Sequence, residues 1–190
     1  MELVLFINAC VRKESRTRVL AQAVLDKLGM PYREVRVHGI NFPVADEAFL
    51  NKRDRLLAEG DLADPVFDHA RRFAGAETVV IAAPYWDLSF PAALKQYFEQ
   101  INVTGITFRY GPDGAPVGLC KAKKLIYVTT AGGFFAPEDY GFGYIEALAR
   151  NFYGIPDVRL IKAVGLDIDG SDTAAIMKEA KRSVEDSDIG

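Results

Sequence analysis

Short apolar runs alternate along this chain with longer segments whose apolar residues recur every three or four positions. The runs at 3–8, 78–83 and 124–130 are largely apolar throughout, which is typical of parallel strands covered on both faces. The segment at 16–28 is of the second kind, because its apolar positions have helical spacing and Gly29 follows as a helix end requires. This alternation predicts an α/β protein.

Further segments complete the pattern. Strands predicted at 32–37 and 158–165 bring the parallel strands to five, with helices on both faces of the sheet. Residues 106–110 alternate in polarity and lead into turn-forming sequence at 111–116, which predicts an inserted hairpin. Because no repeat, low-complexity segment or linker interrupts the chain, residues 1–190 are expected to form one doubly wound domain. The other predicted helices are at 45–59, 65–74, 92–103, 144–153 and 173–184.

The composition of the chain indicates which kinds of binding partner and cellular compartment are to be expected. Of the 190 residues, 49% are hydrophobic, which suits one domain with a substantial core. The formal net charge of −3 gives no electrostatic case for nucleic acid, and no apolar run reaches the roughly 18 residues of a membrane span. Cys10 and Cys120 form no CxxC pair and, with only two histidines, no zinc site. This cysteine usage, with an N-terminus that lacks a basic start, favours the reducing cytoplasm.

The loop after the run at 78–83 carries an unusual group of side chains. It consists of Pro84, Tyr85, Trp86, Asp87 and Leu88. In open α/β sheets, ligands bind beyond the carboxyl ends of the strands. Two adjacent aromatic side chains and a carboxylate at such a place favour a flat, half-polar ligand. An alternative for Trp86 is an anchor in a dimer interface.

The first loop has the chemistry of an anion site. Residues 9–17 join the first strand to the first helix, and the free N–H groups of a helix start attract anions. Ser15 and Thr17 add hydroxyl groups there, and Arg16 adds positive charge. Because neither a Walker loop nor a Gly-x-Gly dinucleotide motif is present, a single phosphate is the better match. The alternative is that Ser15 only caps the helix.

A glycine pair follows the strand predicted at 124–130. This third loop consists of Thr130, Ala131, Gly132 and Gly133, and glycine lets the backbone approach a flat ligand closely. Taken alone, the pair also suits an ordinary turn. Since all three loops follow central parallel strands, we expect them to meet at one edge of the sheet and form one site.

These three loops, in this order, resemble those of the flavodoxin-like FMN-dependent NAD(P)H:quinone oxidoreductase and azoreductase family. The resemblance covers nearly the whole chain and is most specific at 84–98, 105–110, 116–119 and 123–124. It implies a flavodoxin-like fold, FMN as cofactor, NADH or NADPH as electron donor and a small flat acceptor. It also implies a homodimer with each flavin site near the subunit interface.

The resemblance further implies a role for each loop. Ser15, Arg16 and Thr17 would hold the FMN phosphate, residues 84–88 would follow the isoalloxazine edge, and residues 130–133 would close over its pyrimidine side. Hydride would pass through the flavin in ping-pong order, so no side chain is assigned as a catalyst. The family often has Asn in place of Asp87, and azoreductases often have Ser-Arg in place of Thr130-Ala131. These two departures leave the class of acceptor open.

Two other functions are compatible with the sequence. A flavodoxin-type electron carrier would bind FMN without turning over NAD(P)H by itself, and an interaction module of the same fold would bind no flavin. Phe108, Tyr110, Phe134 and Phe135 either line the open flavin face or bury the hairpin and a dimer contact. Cys10 is interpreted as a small packed apolar residue.

Overall fold

A five-stranded parallel sheet forms the centre of the computed structural model, which describes residues 4–190. The strands of the described chain are β1 (Val4–Asn8), β2 (Tyr32–Arg36), β3 (Thr78–Ala82), β4 (Phe108–Tyr110), β5 (Pro116–Gly118), β6 (Lys124–Thr130) and β7 (Asp157–Ala163). The sheet has the order β2-β1-β3-β6-β7, while β4 and β5 pair separately as an antiparallel hairpin. The predicted doubly wound sheet and inserted hairpin are therefore confirmed. Leu3, the first residue of the strand predicted at 3–8, lies outside the described residues.

Six α-helices surround the sheet within the described residues. They are α1 (Arg16–Leu28), α2 (Glu47–Glu59), α3 (Asp68–Gly75), α4 (Ala92–Ile101), α5 (Phe142–Leu148) and α6 (Thr173–Asp186). Three of them, α1, α2 and α6, begin at a side-chain cap. Helix α2 begins after Asp46 because that carboxylate accepts a hydrogen bond from the Phe49 N–H at 2.9 Å. The predicted helix at 65–74 instead starts with a 3₁₀ turn at Pro65–Phe67, and the one at 144–153 ends in a π turn at Ala149–Tyr153. Within residues 4–190, none of the helices combines the length and apolar character needed to cross a membrane.

Both faces of the sheet are buried. Leu5 and Ile7 point into a core closed by α2, α3, α4 and α5, whereas Val4 and Phe6 point into a second core closed by α1 and α6. All five residues of β1 are buried. This double burial explains why the strands appear in the sequence as continuous apolar runs rather than as alternating ones.

The strand register brings the ends of three strands to one edge. Asn8 of β1 lies beside Ala82 of β3, and Ala82 lies beside Val128 of β6. Strand β1 has β2 on one side and β3 on the other, so the direction of winding reverses between β1 and β3. This reversal is the position at which open α/β sheets bind ligands.

The hairpin is attached through an aromatic contact. Phe108 is only 6% exposed, and its ring centroid lies 4.9 Å from that of Phe152. Tyr110, two residues along, is exposed. Phe108 therefore packs the hairpin against the rest of the domain, in agreement with the interpretation that it buries the hairpin.

Candidate functional site

A cleft of about 200 Å³ lies at the carboxyl edge of the sheet, among the three predicted loops. The lining residues that the sequence singled out are Ser15, Arg16, Thr17, Pro84, Tyr85, Trp86, Thr130, Ala131 and Gly132. Asp87, Leu88 and Gly133 are not among the lining residues. The three loops thus meet in one place, as expected from their positions after central strands.

The first loop presents the start of α1 to the cleft. Ser15 is the cap, and its Oγ accepts a hydrogen bond from the Arg18 N–H at 3.3 Å. The N–H groups of Arg16 and Thr17 lie in the first turn of the helix, where intrahelical partners are lacking. Ser15 is therefore a helix cap and a lining residue at once, which makes the two interpretations of its role compatible.

The side chain of Arg16 has partners in the loop after β7 instead of standing free. One terminal nitrogen donates to the Leu166 carbonyl at 2.8 Å, and the other pairs with the Asp167 carboxylate at 2.7 Å. Asp167 also lines the cleft. A Cβ atom added at Gly132 would overlap that carboxylate, so the Asp167 side chain lies directly against the backbone of Gly132 and would have to shift for a larger residue.

A buried hydroxyl pair joins the first loop to the third. The Oγ1 atoms of Thr17 and Thr130 are 2.6 Å apart, and the two residues are 1% and 8% exposed. The third loop is fixed further because the Tyr85 N–H donates to the Thr130 carbonyl at 3.0 Å. These bonds hold the three loops at fixed distances from one another.

The second loop contains a tight turn with unusual backbone angles. The Trp86 N–H donates to the Ser89 carbonyl at 3.1 Å and the Ser89 N–H to the Trp86 carbonyl at 2.7 Å. The two central residues, Asp87 and Leu88, have φ values of 51° and 67°, as in a type I′ turn. A leucine in this left-handed region costs roughly 1–2 kcal/mol relative to glycine. Such strain is concentrated at functional sites.

Tyr85 is held between the second loop and the segment that follows Gly133. Its hydroxyl donates to the Pro137 carbonyl at 3.2 Å. Partial burial, and then the nearby Asp139 carboxylate, raise the pKa of Tyr85, so the phenol stays protonated at neutral pH. The same segment is tied down by the Ser89 Oγ, which donates to the Tyr140 carbonyl at 2.8 Å.

Comparison with known proteins places this arrangement in a family. A family model described as the flavodoxin-like fold matches residues 3–187. The chain belongs to the flavodoxin-like fold family. The flavodoxin-like fold that the resemblance implied is thereby confirmed.

Two relatives of this flavodoxin-like protein match along nearly their whole length. It is 34% identical over 189 residues to an FMN-dependent NADH:quinone oxidoreductase of Clostridium beijerinckii, covering 95% of this chain and 94% of the relative. It is 35% identical over 191 residues to the protein of the same name from Lachnoclostridium phytofermentans, covering 95% of each chain. These relatives confirm the resemblance to the FMN-dependent quinone oxidoreductase family noted from the sequence.

Solved structures agree on the fold. An azoreductase from Bacillus anthracis superposes with a TM-score of 0.83 at 22% identity, covering 97% of each chain. An FMN-dependent NADH-azoreductase from the same species, in complex with FMN, gives a TM-score of 0.80 at 22% identity, covering 97% of this chain and 96% of that one. Both comparisons show the same flavodoxin-like architecture.

Sequence reasoning missed the contribution of the last strand to the site. Asp167 belongs to the loop after β7, and its N–H donates to the Gly132 carbonyl at 2.9 Å. Glu14, inside the first loop, also lines the cleft but was not singled out. The rule that located the other loops, a position just beyond a parallel strand, applies equally to Asp167. Extending that rule to the last strand would have found it.

Cys10, which precedes the phosphate-binding residues predicted in the first loop, is packed inside the protein. Cys10 is buried, and its Sγ contacts the Ala82 carbonyl at 3.7 Å. Burial raises the pKa of this thiol despite the nearby Ser15 and Arg18, which act in the opposite direction. A buried, protonated thiol is a packing group, in agreement with the interpretation from the sequence.

Proposed function

We propose that this protein is an FMN-dependent NAD(P)H oxidoreductase that reduces quinones, azo compounds or similar flat acceptors. The observation that carries the proposal is the meeting of three loops of different chemistry in one cleft at the switch point of the sheet. The names of relatives at about one-third identity support it.

The residues around the cleft fit FMN by the chemistry of their donors. The start of α1 offers unpaired N–H groups together with the Ser15 hydroxyl, which suits a phosphate. Pro84, Tyr85 and Trp86 line the same cleft and bring two aromatic rings to it. Gly132 keeps the opposite wall low enough for a planar ring to approach. The cleft thus combines anion-binding groups with aromatic side chains, as the two parts of FMN require.

Each loop then has a separate task. The first loop would bind the phosphate, with Ser15 and Thr17 at the helix start and Arg16 nearby. The second loop would align the ring system along 84–88, and its strained turn fixes the position of Leu88. Residues 130–133 would close the remaining side. When bound, FMN supplies hydride chemistry between a nicotinamide and an acceptor, so the protein needs no acid–base side chain of its own.

Exposed apolar side chains at the rim support a homodimer. Trp86, Leu88, Phe134, Phe135 and Tyr140 are all exposed beside the cleft. Apolar groups clustered at the rim of a site are typical of an association surface. We propose that a second copy covers them, and sedimentation at micromolar concentration should give twice the mass of the chain. A monomer would contradict this part of the proposal.

Free thiols support the reducing cytoplasm as the location of the protein. Cys10 and Cys120 are both unpaired, and unpaired cysteines are typical of a reducing compartment.

A charge substitution at Ser15 tests the phosphate end of the cleft. Ser15→Asp keeps a good helix cap but places a carboxylate beside the expected phosphate, so FMN affinity should fall about tenfold or more. Ser183→Asp, on the exposed side of α6, adds the same charge elsewhere and should leave the affinity unchanged. Fluorescence titration with FMN measures the affinity of both variants. If Ser15→Asp binds FMN as tightly as Ser183→Asp does, the first loop is not part of the site.

Turnover separates the enzyme from an electron carrier. With FMN and a small quinone present, the protein should oxidise NADH or NADPH in steady state without a partner reductase. FMN binding without this turnover would favour the flavodoxin-type carrier instead.

A further inference from the structure

We propose that Asp167 acts as a built-in counter-ion to Arg16 that weakens binding of the FMN phosphate, so that the protein binds FMN less tightly than it would without this carboxylate. This inference rests on the proposed flavin function. It assigns a specificity-determining role to a residue of the loop after β7.

The geometry shows that Arg16 is already occupied. Its two terminal nitrogens contact the Asp167 carboxylate at 2.7 Å and the Leu166 carbonyl at 2.8 Å. The guanidinium therefore has partners on both terminal nitrogens without any ligand. A phosphate that uses Arg16 must displace the carboxylate or share the cation with it.

Asp167 is held in this position by the backbone. Its own N–H donates to the Gly132 carbonyl at 2.9 Å, and the Leu166 N–H donates to the Ala131 carbonyl at 3.2 Å. The Leu166 carbonyl that accepts from Arg16 also accepts from the Thr173 hydroxyl at 3.0 Å. The carboxylate therefore belongs to a fixed loop at the wall of the cleft, although its side chain is 64% exposed.

The charges that line the cleft cancel. Arg12 and Arg16 are opposed by Glu14 and Asp167. A phosphate monoester brings a charge of about −1.5 to −2 at pH 7, so it gains little net attraction from a balanced site. Loss of one carboxylate gives the site a net positive charge and releases Arg16.

The test compares FMN with riboflavin, which lacks the phosphate. For Asp167→Asn we expect FMN to bind about three- to tenfold more tightly, with riboflavin changed less than about twofold. Because the effect is electrostatic, it should shrink as salt is raised. Asp169→Asn removes the same charge from the same loop but lies outside the cleft lining, so it should leave both affinities unchanged.

Each outcome bears on the proposal. An unchanged affinity of Asp167→Asn for FMN would overturn it, and the proposed function would stand because wild-type protein still binds flavin. An equal loss of affinity for FMN and riboflavin would mean that Asp167 holds the ribityl chain, which also overturns it. If neither flavin binds wild type or variant, the proposed function fails together with this inference. Thermal unfolding of each variant verifies that the fold is retained.

Discussion

The hydroxyl pair of Thr17 and Thr130 should act as one energetic unit that joins the first and third loops. Both hydroxyls are buried and lie 2.6 Å apart. Thr17→Val leaves the Thr130 hydroxyl buried without its partner, and Thr130→Val does the same to Thr17. Each change should lower the free energy of unfolding by about 1–3 kcal/mol.

The double variant is the informative one. Because it removes both hydroxyls, it should cost less than the two single changes together, with a coupling energy of about 1–2 kcal/mol. Urea unfolding of flavin-free protein measures these free energies, and each single variant should also lose roughly 2–12 °C of thermal midpoint. If the single losses add without coupling, the pair is not a bond that stabilises the fold, and the argument that it fixes the loops is wrong.

Two further predictions concern close packing and the thiols. Gly118→Ala places a Cβ on the backbone of Tyr153 and Gly154 and should lower the free energy of unfolding by about 2–3 kcal/mol. The control Gly75→Ala meets nothing within 4 Å and should leave the free energy of unfolding unchanged in the same urea experiment. Equal effects of the two substitutions would contradict the close packing at Gly118. Burial raises the pKa of Cys120 to about 12, so the thiol of the native protein should resist iodoacetamide at pH 8 until denaturant is added. Because this pKa is higher in the folded state, the contribution of the thiol to stability should be complete below about pH 9 and lost between pH 9 and 12. Rapid labelling of the native protein would refute this prediction.

Most of the fold is predictable because the strands are buried on both faces. Runs such as the one at 78–83 must be apolar at every position when helices cover both sides, and their alternation with amphipathic segments determines the topology. Helix limits are harder to predict, because they depend on single contacts. Asp46 and Asp64, for example, cap the elements that follow them, and only the structure shows which polar side chain reaches a free N–H.

The site was predictable in its loops but not in their internal contacts. The position of the loops follows from strand order alone. The left-handed turn at Asp87 and Leu88 has no sequence signal, because such turns prefer Asn-Gly. The pairing of Arg16 with Asp167 joins residues 151 positions apart, so no local pattern reveals it. The sequence accordingly suggested a positive phosphate site, whereas the folded chain balances that charge.

The central claim is tested most directly by an anaerobic absorbance titration of the protein loaded with FMN. We expect the flavin bands to shift on binding and to bleach when NADH or NADPH is added, with the colour restored by a quinone. Bands that shift but persist with both nucleotides would contradict the oxidoreductase and favour a carrier. The absence of any shift would show that the cleft formed by the three loops does not bind flavin.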